Sequence, residues 1–489
     1  MPAPEDPRSR PLDRWRWLGL AGSVLVAGGA LGAGVLPLPD PQWPLPVVAA
    51  RGPALVGFVA LVAAGMAMLV AAWWLAGRSG RLSVRWVTVT AAVWSAPLLL
   101  APPLFSRDVY SYAAQGDVLV HGVDPYRHGP ADLPSVWVPS ISPTWAHTPA
   151  PYGPLFLQIA HVAVMLCGGY LPAAVLLLRI AALAGVALTA VYLPRLAAAC
   201  GTDPGRALWL GLASPLVLVN FVSGEHNDAL MTGLLVAGLA YAAERRGVRA
   251  AAFVALAAAV KAPALVALPF VALLWAGAPR LRSVVRAAAA TGAVALAVFA
   301  LVTVATGLGT GWIGAALATP GASVQWTSLP TGLGIAAGWL TGPSGADTAI
   351  AVARTVGTVL TGVAVAGLIW RAWRRSGDTR AVVLAAGGAL LAVVVLAPAF
   401  HPWYLLWAAL PLAASVTDPR AWRALAAASA ALCFLVLPGG FNLARVTVVP
   451  GVLLDLAVTV ALAVAAAHWL RRPDGPIAPE VAEPVAVTP

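Results

Sequence analysis

The chain has 489 residues, 60% of them apolar and only 10% charged, with a mean hydropathy of +0.84. A soluble domain carries about 25% charged residues, so this composition excludes an ordinary soluble enzyme and points to a polytopic membrane protein. The net charge of +11 does not mark a nucleic-acid binder, because the basic residues lie one to four at a time between apolar runs.

In chain order, apolar runs read as spans near residues 16–37, 53–76, 86–104, 172–194, 206–222, 228–243, 249–260, 263–277, 287–306, 348–370, 381–398, 403–416, 421–437 and 449–470. Several are short for a hydrocarbon core of about 30 Å, so broken or re-entrant helices are expected among them. The run 155–168 is read as an interfacial or re-entrant helix, since counting it as a span would invert every later loop. Residues 1–15 and 473–489 read as polar, disordered tails. The first span follows four arginines without a small-residue cleavage site, and is read as a retained helix. The expected fold is therefore all-α, one transmembrane domain over residues 16–472, with long outer segments at 105–171 and 307–347.

The positive-inside rule orients it. With a cytoplasmic N-terminus, 23 of the 30 basic residues fall on inner segments, and both termini are expected inside. Two more, Arg179 and Arg354, fall within spans. Five of the seven histidines (His121, His128, His147, His226 and His401) then lie on outer segments, with Asp108, Asp117, Asp124, Asp132, Glu225 and Asp228. A transporter would place ionisable groups near the midplane. Acids gathered at one water–lipid boundary suit an enzyme acting on a membrane-anchored substrate.

Asp108 directly follows the third span, beside Arg107 and ahead of Tyr110 and Tyr112. An apolar boundary raises a carboxyl's proton affinity and a neighbouring arginine lowers it, so this acid can serve as a base towards a sugar hydroxyl; an ion pair with Arg107 is the alternative. In Gly122-Val123-Asp124-Pro125-Tyr126, Asp124 and Pro125 read as a turn, leaving Tyr126, Arg127 and His128 for contacts with sugar or phosphate. The proline-rich stretch 148–154 reads as a rigid strap, from which Tyr152 either stacks on a sugar ring or anchors at the interface.

Gly224-Glu225-His226-Asn227-Asp228 places two acids, a histidine and an amide in five residues, with capping of the next helix by Asn227 or Asp228 as the alternative. No second ligand set has a spacing that would complete a metal site with His226 and Asp228. The cysteines Cys167, Cys200 and Cys433 are isolated and suggest neither metal nor disulfide. Lys261, the single lysine, stands where Pro263 breaks an apolar run; it either holds a lipid-linked phosphate or snorkels. Trp403, Tyr404 and Trp407 read as an aromatic belt, and His401, just before a proline, as a phosphate contact.

Together the segments SRDVYSYAAQG (106–116), GVDPY (122–126), TPAPYGPLF (148–156), GEHNDALM (224–231), VKAPAL (260–265) and HPWYLLW (401–407) resemble the actinobacterial polyprenol-phosphomannose-dependent α-1,6-mannosyltransferases of lipomannan and lipoarabinomannan synthesis. The resemblance runs in order from about residue 86 to 410. It implies a GT-C glycosyltransferase bundle of about 12–14 helices, working on the extracytoplasmic face with inversion. Asp108 is then the catalytic base. Lys261, Arg127, His128, His226 and His401 are candidates to neutralise the donor phosphate. Arg107, Tyr110, Tyr112, Tyr126, Tyr152, Glu225, Asn227, Asp228, Trp403 and Tyr404 are candidate substrate contacts. The implied partners are a polyprenyl-phosphate sugar donor, a mannan or lipoglycan acceptor and membrane lipid, with no nucleic acid, metal or other cofactor. Arabinose or glucose as the donor sugar stays open, as does, from another class, a polyprenyl-lipid flippase or transporter. Asp108, Glu225, Asp228, Lys261 and His401 are expected to converge on one cavity.

Overall fold

A computed structural model describes residues 10–470. The proposed tails at 1–9 and 473–489 lie outside the described residues. Residues 10–15, read as tail, instead open the first helix. Two of their side chains are tied down: the Trp15 indole donates to Ser79 Oγ at 3.1 Å, and Asp13 accepts from the Trp86 indole at 3.2 Å.

The helices are α1 (Arg10–Ala33), α2 (Gly52–Arg78), α3 (Val84–Leu100), α4 (Asp108–Val120), α5 (Pro154–Cys167), α6 (Leu171–Ala199), α7 (Pro204–Gly211) and α8 (Pro215–Val217). They continue as α9 (Asp228–Ala243), α10 (Gly247–Val260), α11 (Leu268–Ala276), α12 (Leu281–Thr306), α13 (Trp312–Ala318), α14 (Leu329–Thr341) and α15 (Pro343–Arg374). The last four are α16 (Thr379–Leu396), α17 (Leu405–Ala413), α18 (Pro419–Leu432) and α19 (Val448–Leu470). A two-residue hairpin, β1 (Val436–Leu437) with β2 (Phe441–Asn442), pairs antiparallel in the register Val436↔Asn442. Gly439 and Gly440 turn it at φ values of 77° and 79°, which side chains resist.

The chain is an all-α polytopic membrane protein. Among the described residues six helices (α1, α2, α6, α12, α15 and α16) are long and apolar enough to cross a bilayer, or seven if the bent α7–α8 pair counts as one span. Their outer faces are bare hydrocarbon: Leu296, Leu301 and Val304 on α12 and Val352, Val359 and Val363 on α15 are all exposed, as lipid-facing surfaces are. The remaining apolar runs form shorter helices than the expected 12–14 spans require. All nine residues of α17 and nearly all of α9 are buried; they are apolar because protein surrounds them, which hydropathy does not separate from lipid. The outer segment 105–171 contains α4 and, at the run read as a re-entrant or interfacial helix, α5; the segment 307–347 contains α13 and α14.

Local chemistry sets the ends. Ser83, Asp203, Asp378 and Asp418 cap α3, α7, α16 and α18 by accepting from first-turn amides, a role suited to short polar side chains. Close crossings use small residues: a Cβ on Gly185 of α6 would lie 2.1 Å from Ala229 O of α9. A buried polar tie crosses the bundle. Arg179 of α6, 3% exposed, pairs with Glu225 and donates to Leu99 O and Ala101 O, the latter at 3.0 Å. It thereby binds the end of α3 to the 223–227 loop.

Candidate active site

Three short breaks in helical structure bring the polar groups together. The first is the buried segment after α3, where Ser106 Oγ accepts from Asp108 N at 3.1 Å and so places Asp108 at the first turn of α4. Tyr110 OH donates to Val35 O at 2.8 Å and pins α4 to the end of α1. The second is the 223–227 loop, reached through a π-helical turn at Leu218–Val222, a geometry frequent at functional sites. Here Glu225 adopts a φ of 49°, unusual for a residue with a Cβ. The third is the end of α10, where Lys261 turns extended before the 3₁₀ stretch Ala262–Ala267.

Lys261 Nζ donates to both oxygens of Asp228, at 2.8 and 2.9 Å, and the Trp407 indole donates to Asp228 Oδ1 at 2.6 Å. The rings of Tyr404, Trp407 and Tyr152 surround the ammonium at 4.8, 5.3 and 5.8 Å, close enough for cation–π attraction. Two of its three N–H groups are engaged, leaving one for a ligand. His226 stacks on Trp403 with centroids 3.7 Å apart, and His401 stacks on the same indole at 4.8 Å. Asp108 Oδ2 lies 3.5 Å from His226 Nδ1, which is also 3.4 Å from Tyr112 OH.

A cavity of about 350 Å³ opens over this cluster, lined by Asp108, Lys261, Tyr152, His401, Trp403 and Tyr404, with apolar walls from Pro149, Pro151, Leu317, Val393 and Ala397. Among the described residues, Asp108 is the one acid lining it. Its side chain is 19% exposed. Burial pushes its carboxyl up to about 6; Lys261 and Ser106 act against that rise and Asp228 adds to it. Burial, reinforced by Lys261, holds His401 down at about 4. Burial first, then Lys261 and His401, holds His226 well below the usual imidazole range. Both histidines are neutral at pH 7, so they serve as hydrogen-bonding groups and Lys261 is the lining cation.

A pH dependence follows. A base must be ionised, so kcat/KM should rise through about pH 6 and flatten above it. Because Lys261 favours the ionised form of Asp108, Lys261→Gln should move this acid limb to higher pH. A limb that stays in place or moves down would assign it to another group.

The geometry separates the residues singled out in the sequence. Asp108, Lys261, His401, Tyr152, Trp403 and Tyr404 share the cavity. Asp228 backs Lys261, and His226 backs Asp108 directly, held in place by Trp403 and Tyr112. Glu225 is turned away into the Arg179 pair, and Tyr110 is a buried strut. Asn227 is buried, with neither amide atom hydrogen-bonded. Tyr126 packs into a separate apolar cluster with Leu157 and Leu308. Arg127 is 82% exposed and faces Asp124, and His128 faces Asp132; neither lines the cavity. Asp124 accepts from Tyr126 N at 2.9 Å, the turn its place before proline implies. Arg107 donates to Ser140 O at 3.1 Å rather than pairing with Asp108. Sequence reading passed over Ser111 and Gln115, which line the cavity from α4. The apolar spacing Val109, Tyr112, Ala113 and Gly116 was the available signal for that helix.

Residues 16–277 match the family model described as "Alpha-(1->6)-mannopyranosyltransferase, N-terminal domain", and residues 326–467 match the "MptB C-terminal domain". The cavity draws on both stretches and on the residues between them. Among similar proteins, alpha-(1->6)-mannopyranosyltransferase A of Mycobacterium tuberculosis is 36% identical over 434 residues, covering 84% of this chain and 81% of that one. A probable alpha-(1->6)-mannopyranosyltransferase of Mycolicibacterium smegmatis is 36% identical over 451 residues, covering 83% and 79%. Alpha-(1->6)-mannopyranosyltransferase B of Corynebacterium glutamicum is 31% identical over 476 residues, covering 88% and 78%. No solved structure matches the chain.

Proposed function

We propose, from the premise that this chain belongs to the alpha-(1->6)-mannopyranosyltransferase family, that it moves mannose from a polyprenyl-phosphate carrier to a mannan or lipoglycan acceptor on the extracytoplasmic face. That it is a glycosyltransferase follows from the family; the donor, the acceptor and the face are the proposal. The observation that carries it is the apolar cavity lined, among the described residues, by one acid, Asp108, and one lysine or arginine, Lys261.

The chemistry is an in-line displacement. Asp108 takes the proton of an acceptor 6-hydroxyl as that oxygen bonds to the anomeric carbon. The bond from that carbon to the carrier's phosphate oxygen breaks, and the phosphate leaves with the electron pair. A β-linked donor gives an α-linked product. The free N–H of Lys261 and the neutral imidazole of His401 meet the charge gathering on the phosphate. The prenyl chain occupies the apolar walls, where burying each CH₂ contributes about 0.8 kcal/mol. A resident metal has no part in this scheme. The reading of the face draws on charge: Arg81 and Arg85 stand at the start of α3 and Asp108 lies eight residues beyond its end, which supports a site on the side away from those arginines.

The test is a donor panel with vesicle-embedded protein and an α-1,6-mannoside acceptor. Polyprenyl-phosphate mannose should support elongation, and EDTA should leave the rate unchanged. Transfer from a nucleotide sugar alone would overturn the donor assignment, and transfer only from polyprenyl-phosphate arabinose or glucose would overturn the sugar.

A further inference from the structure

A second cavity, of about 370 Å³, shares Asp108, Trp145, His401 and Trp403 with the first and has different walls. Arg107, Ser142, Thr144, Gln325, Asn442 and Arg445 line it. The apolar cavity offers prolines and aliphatic side chains; this one offers amides, hydroxyls and guanidinium groups. Its far wall comes from two segments that the transfer reading leaves without a role, residues 322–325 and the β1–β2 hairpin.

The wall is built, not incidental. The hairpin docks on the segment that carries Asp108, with Gly439 N donating to Leu104 O at 2.9 Å. Asn442, 7% exposed, accepts from Ala444 N at 2.9 Å through Oδ1. Its Nδ2 donates to Gln325 Oε1 at 2.9 Å. That bond fixes the Gln325 side chain and leaves its amide NH₂ as a donor group on the cavity wall. Trp145 and Trp403 add aromatic faces at the junction of the two spaces.

We infer that this polar chamber is the acceptor site, receiving the terminal pyranose of a neutral mannoside chain. The assignment rests on the transfer reading above and adds which space takes which substrate. In-line displacement needs the attacking hydroxyl and the leaving phosphate on opposite sides of the anomeric carbon. Asp108 stands where the two cavities meet, so a hydroxyl entering from the polar chamber reaches the base while the phosphate remains beside Lys261. Planar amides held by a second hydrogen bond suit sugar hydroxyls, since their orientation is set before binding. The volume is that of a ligand pocket.

The test uses cysteine protection, because the native Cys167, Cys200 and Cys433 are all buried. Thr144 lines only the polar chamber and Thr148 only the apolar one. An α-1,6-mannobiose at about four times its Kd should slow maleimide modification of the Thr144→Cys variant about fivefold, as the free fraction falls with 1 + [L]/Kd. It should leave the Thr148→Cys variant unprotected. Polyprenyl phosphate should show the reverse pattern. In turnover, Gln325→Ala should raise the acceptor KM about 3- to 10-fold, the effect of one lost hydrogen bond, with the donor KM unchanged.

Protection of the Thr148→Cys variant by the mannoside, or a Gln325→Ala effect on the donor KM alone, would overturn the assignment. Protection is read without turnover, so the two readings fail separately. Mannoside protection of the Thr144→Cys variant without transfer from polyprenyl-phosphate mannose would sink the donor reading and keep the chamber. Transfer without any mannoside protection would sink the chamber alone.

Discussion

Asp108→Asn is expected to lower kcat/KM about 100- to 10,000-fold, the range for losing a positioned general base. Asparagine keeps the shape of the side chain and cannot take a proton. The neighbouring acids do not substitute for it: Asp228 is held by Lys261 and Trp407, and Glu225 is sealed against Arg179. The histidines are further from the role, because the burial that holds them neutral, reinforced by Lys261, also makes them poor bases. Stability separates this loss from misfolding. The fold raises the proton affinity of Asp108, mainly through burial, so at pH 7 it carries a charge that folding disfavours. A neutral amide should leave the thermal midpoint unchanged or higher while transfer is lost. Full activity of the variant would remove Asp108 from the mechanism, and a lower midpoint with proportionate loss of activity would make it structural.

Arg179→Leu should destabilise the protein by about 3–5 kcal/mol, because it strands the buried Glu225 carboxylate. That is a large share of the roughly 5–15 kcal/mol that separates folded from unfolded states in typical domains. Two carbonyls at the end of α3 lose their donor in the same step. The loop carrying His226 and leading into Asp228 is anchored by this pair, so activity should fall with the thermal midpoint. Removing both charges together, in Arg179→Leu with Glu225→Leu, should recover part of the loss, since replacing a whole buried pair by apolar groups is often close to neutral. Thermal unfolding in detergent across the double-mutant cycle measures the coupling. Additive losses would show that the pair contributes nothing as a pair.

Much of this architecture is written in hydropathy. Each apolar run in the sequence coincides with a helix or a bent helical pair, and the lysine beside Pro263 marks a true interruption. What hydropathy misses is tertiary. Arg179 reads as one more arginine inside a span, and Glu225 as one more acid in a polar loop; only the fold shows each as the other's partner. Tyr110 and Tyr126 have the composition of binding residues and the burial of packing residues. Arg127 and His128 share a motif with Asp124, yet the turn it makes points them at nearby acids instead of the cavity. The hairpin at 436–442 is too short for any period to show, and its contribution to the polar chamber comes from where it docks.

The most direct test of the central claim, that a lipid-linked sugar phosphate lies in the apolar cavity beside Asp108 and Lys261, is photo-crosslinking with a diazirine-bearing polyprenyl-phosphate mannose. Mapped adducts should fall on Leu317, Val393, Ala397 and their neighbours, and unlabelled polyprenyl phosphate should compete them away. Adducts that collect instead on Val324, Gln325 and the 436–442 hairpin, or that survive competition, would contradict it.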